Sequence, residues 1–136
     1  MPPAFSMKIG PEPADVPRVT AAFGHFAASH AVPAGAQRSV STALDELLEN
    51  AVRHGRAREV TVEAELLGDR LRLTITDDGR AFDPFAKAAP DTTLSIAVRP
   101  IGGLGIHLVK EMMDDVHYRR QGHLNVVTIE KRLGSP

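Results

Sequence analysis

The stretch LDELLENAVRHG, residues 44–55, carries a carboxylate and an amide, Glu46 and Asn50, four residues apart. On a helix of about 100° per residue their side chains leave roughly 40° apart, and His54 follows at about 80° from Glu46. A carboxylate can take a proton from a hydroxyl group, and an amide oxygen can hold a divalent cation. The stripe lies beside the apolar positions Val40, Leu44, Leu47, Leu48, Ala51 and Val52. With Glu49 and Arg53 nearby, it reads on its own as a solvated face, because charged residues are usually exposed.

Two further stretches carry chemistry. In TITDDGRAFDP the strand phase places Leu71, Leu73 and Ile75 toward a core, so Asp77 continues the inward face and Asp78 points out. A carboxylate at the end of a buried face is costly unless it meets a donor. Gly79 follows and permits a tight turn or close approach of a ligand. An aspartate capping a turn is the plainer reading of the same residues. In PIGGLGIHLVK, Gly102, Gly103 and Gly105 lead into a helix start, where backbone N–H groups and the helix dipole favour an anion. Neither a P-loop nor the dinucleotide fingerprint is present, and by themselves the glycines read equally as a hinge.

The elements that must position these residues follow from periodicity. AFSMKIG is a short strand that stops at Gly10-Pro11. Val16, Val19, Phe23 and Phe26 mark a helix over 14–31, and a second runs from about 36 to 54 with Gly55 as its stop. REVTVEAEL and RLRLTITDDG alternate and are joined at Gly68-Asp69, which predicts a hairpin. Residues 79–103 have three prolines and no sustained period, a length that marks a functional or mobile loop. A third helix follows over 104–114, with Leu104, Leu108, Val109, Met112 and Met113 inward. DVHYRR and LNVVTIEKRL close the chain as two strands around Gln121-Gly122. The order β-α-α-β-β-loop-α-β-β predicts one α+β domain over 1–136, with a mixed or antiparallel sheet covered on one face by about three helices.

Bulk composition narrows the function classes. A chain of 136 residues with a net charge of −1 and no long basic run carries no large nucleic-acid footprint. No cysteine is present, so there is no disulfide framework or thiolate metal site. The six histidines lack a His-Glu-x-x-His pattern, which sets zinc aside. No charged start precedes an apolar stretch at the N-terminus, and no apolar run approaches the ~20 residues of a membrane span. The expectation is a cytoplasmic protein without direct nucleic-acid or membrane contact.

In chain order, then, the sequence has Glu-x-x-x-Asn on a helix, Asp-x-Gly at a strand end, a long loop, and Gly-x-Gly at a helix start. LDELLENAVRHG, TDDGRAFDP and GGLGIHLVKEMMDDVHY together resemble the GHKL ATPase superfamily of gyrase, a heat-shock chaperone, histidine kinases and mismatch-repair proteins. The series is most similar to the small anti-sigma factor serine/threonine kinases, and the likeness spans about residues 8 to 133. The resemblance implies a two-layer α/β sandwich with ATP held between helices under a mobile lid over 86–101. It implies that Asn50 binds Mg²⁺ and that Glu46 acts as general base or orients the attacking hydroxyl. Asp77 would accept the adenine amino group, and Gly79 would let the base approach. Gly103, Leu104 and Gly105 would face the phosphates; Lys87 and Arg99 are candidates for the lid's cation, each reading more plainly as an exposed charge. Ala81 departs from the family's second glycine; if that position takes a positive φ, alanine costs about 1 kcal/mol.

The function so implied is phosphorylation of a hydroxyl on an anti-sigma factor antagonist, with a sigma factor as the alternative partner and a symmetric homodimer as the default assembly. Three rivals are a non-catalytic ATP/ADP switch that sequesters a partner, a detached histidine-kinase catalytic domain, and an adaptor whose glycines are only hinges.

Overall fold

The computed structural model describes residues 2–86 and 103–134. Five strands form one antiparallel sheet: β1 (Ala4–Ile9), β2 (Val60–Leu67), β3 (Arg70–Asp77), β4 (Asp115–Gln121) and β5 (Leu124–Arg132), in the spatial order β1-β2-β3-β5-β4. Three helices, α1 (Val16–Ser29), α2 (Ala34–Glu49) and α3 (Gly103–Met112), complete this α+β sandwich. Every strand pair is antiparallel, so of the two expectations for the sheet the structure selects the antiparallel one.

The sheet's register comes from two tight hairpins. Leu67 pairs with Arg70 and Gln121 with Leu124, leaving two-residue turns. Gly68 and Gly122 take the first place in each, at φ +67° and +61°, a conformation that glycine adopts without a Cβ penalty. That register aligns Val62 with Ile75 and Ile75 with Val127 on the inner face. The inner row packs against α1 and α2, where Val19, Phe23, Val40, Leu44 and Leu48 are fully buried. Phe5 of β1 joins them, its ring centroid 6.5 Å from Phe23 and 5.8 Å from Phe26.

The helices differ from their sequence reading at two places. α2 begins at Ala34, and its regular geometry stops at Glu49. Residues Asn50–His54 continue as a π-turn, closed by the Gly55 N–H donating to Asn50 O at 2.9 Å. The wider turn takes in an extra residue, so Asn50, Ala51 and Val52 are all buried in succession. In α3 the inward set is Ile106, Val109 and Met113, whereas Leu108, expected inward, is 44% exposed. Periodicity marks a face wider than the single line along which α3 is covered.

The two leucines are expected to answer differently to truncation. Leu48→Ala empties a fully enclosed site and should cost about 2–5 kcal/mol in urea denaturation. Leu108→Ala should stay within about 0.5 kcal/mol of the parent chain.

Candidate functional site

The site is built where α2 gives way to the π-turn and where β3 ends. Asp77 is the last residue of β3 and is paired in register with Val60 on one side and Asn125 on the other. The strand phase carries its carboxylate inward, and the residue is buried. Its Oδ1 accepts the Gly79 N–H at 2.8 Å and the Asn125 Nδ2 at 3.0 Å. Both bonds fall on the same oxygen, so among the described residues Oδ2 keeps its lone pairs for another donor.

Asn125 went unnoticed in the sequence, and it organises this region. Its Nδ2 donates to Asp77 and, at 2.9 Å, to Arg80 O; its Oδ1 accepts Tyr118 Oη–H at 2.7 Å, Arg120 Nη1 at 3.1 Å and the Phe82 N–H at 3.3 Å. One buried amide thus ties the strand end, the loop 79–82 and strand β4 together. The signal was available: Asn125 shares the parity of Val127 and Ile129, the same phase argument that singled out Asp77.

Gly79 needs closeness rather than an unusual backbone. It has no positive φ, but a Cβ there would stand 2.5 Å from Gly55 O and 2.9 Å from Asp77 Oδ1. The Arg80 N–H donates to Gly55 O at 3.1 Å, and its guanidinium reaches His54 O at 2.8 and 3.1 Å. The loop after β3 is therefore bolted to the exit of the π-turn. Ala81 also lacks a positive φ, so alanine carries no backbone strain there. It is exposed, and Phe82 and Pro84 line the pocket instead.

That pocket lies between Asn50, Ala51 and Gly55 on one wall and Ile75, Asp77, Asn125 and Val127 on the other. The cavity is about 20 Å³, room for a water, and it is open to solvent on one side. Asn50 stands on the wall of this cleft and is buried, which corrects the solvated-face reading for that residue. Its Nδ2 has no partner, and its side chain makes no hydrogen bond among the described residues. A buried amide without partners is costly.

Glu46 lies one turn before Asn50 and is half-buried. Burial is the main reason that its carboxyl is held above the usual range; the Glu49 charge adds to this, while His54 opposes it. The carboxylate rests against Gly105 in the first turn of α3. Gly103 and Leu104 open that helix, and of the Gly-x-Gly pair it is Gly105 that the structure sets against Glu46. The expected lid with Lys87 and Arg99 lies outside the described residues, Ala86 excepted. No group of three or more histidine, cysteine or acidic side chains able to hold a metal occurs among the described residues.

The chain matches the histidine kinase-like ATPase domain over residues 9–131. It is similar to the serine-protein kinase RsbW of Listeria monocytogenes, 32% identical over 82 residues, with 54% of this chain and 52% of that protein covered. The RsbW of Staphylococcus aureus is 31% identical over 90 residues, covering 59% and 57%. The chain thus matches little more than half the length of these curated relatives. Among solved structures, the RsbU and RsbW domains of Rv1364c from Mycobacterium tuberculosis share the fold at TM-score 0.71 and 18% identity, covering 98% of this chain and 33% of that one. The SiaB–SiaC complex from Pseudomonas aeruginosa contains a chain alike at TM-score 0.61 and 15% identity, with 93% and 88% covered.

Two measurements check this geometry. Asn125→Ala leaves the Asp77 carboxylate and the Tyr118 hydroxyl short of partners and should cost about 2–3 kcal/mol in denaturant unfolding. Asp78 accepts the Arg58 and Glu59 N–H groups at 2.8 and 3.0 Å. Desolvation is the largest influence on its carboxyl and pushes upward, but the bonds from Glu59 and Arg58, its own N–H and the Arg58 charge together hold it below the usual range. A lowered folded-state value means that its contribution is complete above the ordinary carboxylate range and disappears as pH falls through the lowered value. The melting-temperature gap between the parent chain and Asp78→Ala should therefore be open near neutrality and close in acid.

Proposed function

The chain belongs to the histidine kinase-like ATPase domain family, and from that membership we propose that it is an ATP-dependent serine/threonine protein kinase of the anti-sigma factor type. Its substrate in this reading is a hydroxyl on an anti-sigma factor antagonist, and a sigma factor is the partner that competes with that antagonist. The observation that carries the reading is the pairing of a half-buried Glu46, its carboxyl raised, with the unpartnered Asn50 amide one turn away. Nucleotide holding needs Asn50 and Asp77, but it has no use for a base. The serine-protein kinases of similar sequence support a hydroxyl acceptor.

In this reading Asp77 Oδ2 accepts the adenine amino N–H, which the bonds on Oδ1 leave it free to do. Gly79 lets the loop after β3 close against Gly55, beside the pocket, since a side chain there would collide with the Gly55 carbonyl. Asn50 would hold Mg²⁺ through its amide oxygen, and one amide would suffice because magnesium keeps several waters. When bound, the ion neutralises charge on the phosphate chain. Gly103, Leu104 and Gly105 open α3, whose free N–H groups favour an anion. Glu46 takes the proton as the substrate O–H bond breaks. The hydroxyl oxygen bonds the γ-phosphorus, the bond to the bridging oxygen breaks, and ADP leaves. The cytoplasm is the compartment proposed, no described helix being long and apolar enough to cross a membrane, and a symmetric homodimer is the assembly proposed.

The test is phosphotransfer from γ-labelled ATP and Mg²⁺ to proteins of a cell lysate, with the modified residue then identified. An acid-stable phosphoserine or phosphothreonine is expected; an acid-labile phosphohistidine points instead to a detached histidine-kinase domain. Glu46→Gln should lower the rate about 100- to 10,000-fold while titration calorimetry finds ATP affinity within about twofold. Asn50→Ala should weaken ATP chiefly in its Mg²⁺-dependent part. Tight ATP binding with no transfer to any protein would reduce the chain to a nucleotide-dependent switch.

A further inference from the structure

Gly105 is the third residue of α3 and has no positive φ, so its backbone does not require glycine. In such a helical place glycine is less stable than alanine by up to about 1 kcal/mol. What occupies the space of its missing side chain is the Glu46 carboxyl group: a Cβ on Gly105 would overlap Cδ and both carboxylate oxygens. Gly79, by contrast, faces the rigid backbone carbonyl of Gly55. The group facing Gly105 is the far end of a flexible side chain, which can turn aside at little cost to the fold. No described residue donates a hydrogen bond to the Glu46 carboxylate, which lies in the space left open at Gly105.

We propose that Gly105 is a positioning residue for Glu46: by lacking a side chain it forms the seat that holds the carboxylate beside the Asn50 stripe, oriented toward the incoming hydroxyl. This rests on the reading of Glu46 as the base and gives Gly105 a task separate from the phosphate contact expected of it. The close face of α3 also keeps water from the carboxylate, consistent with burial being the main cause of its raised carboxyl value.

Gly105→Ala separates the two tasks. The melting temperature should hold or rise, because alanine favours the helix. ATP affinity should stay within about twofold, while the phosphotransfer rate falls at least 10-fold. The Gly105→Ala/Glu46→Gln double variant should be no slower than Glu46→Gln alone, because the seat acts only through the carboxylate. Independently of any activity, the Glu46 carboxyl followed by ¹³C NMR should titrate lower in Gly105→Ala, nearer the ordinary glutamate range, as the group moves into water. An unchanged Glu46 titration overturns the seat, as does a 10-fold loss of ATP affinity at unchanged transfer rate, which would return Gly105 to the phosphates. If the parent chain transfers no phosphate, the kinase reading fails, and the NMR titration still decides whether Gly105 seats Glu46.

Discussion

A carboxylate at the inner end of a buried strand must be matched by donors that the fold itself holds in place. Asp77 meets that condition through the pairing of β3 with β5, which sets Asn125 directly opposite. The Asn125 amide spends one donor hydrogen on Asp77 and uses its oxygen to collect Tyr118, Arg120 and the backbone of Phe82. Both hydrogen bonds fall on a single Asp77 oxygen, and the residue lines the pocket. Preorganisation of this kind makes one acceptor a discriminating feature in a pocket that is otherwise mostly apolar.

The same end of the molecule is shaped by two glycines that meet. A side chain on Gly79 would strike Gly55 O, and one on Gly55 would stand 2.9 Å from Ala51 O. The π-turn makes that meeting possible, since it delivers Gly55 one residue later than an α-helix would and turns Asn50 into the cleft. Arg80 then fastens the loop to the turn through His54 O. Helix end, strand end and loop form one rigid wall.

Much of this could be read in the residues, and the misses have physical causes. Hairpins built on Gly68-Asp69 and Gly122-His123 are local, and their period-2 alternation fixes both strand and face; the strands stand where alternation placed them. Asp77 was found by phase. Asn125 obeys the same rule, but an asparagine opening a strand looks like a turn residue until its partner strand is known. The π-turn could not be read from periodicity, because it spans only the last five residues of the segment, too few for a changed period to show. Leu108 misled because an apolar residue near a buried line is not thereby covered. Contact between Glu46 and Gly105 joins residues far apart in the chain, and no local pattern encodes it.

The order of strands also has a consequence for how the chain acquires its site. Asp77 and Asn125 lie 48 residues apart in sequence, and β3 is the strand of the early hairpin that pairs with β5 of the late one. The first hairpin, α1 and α2 can assemble from local contacts, but the pocket wall that contains Asn125 arrives only when β5 docks. Contacts of such separation form late and slowly, because the chain between them must be closed first. During synthesis, a ribosome-bound chain that has not yet released β5 would hold Asp77 with only one of its two donors. Completion of the pocket wall is thus coupled to completion of the sheet.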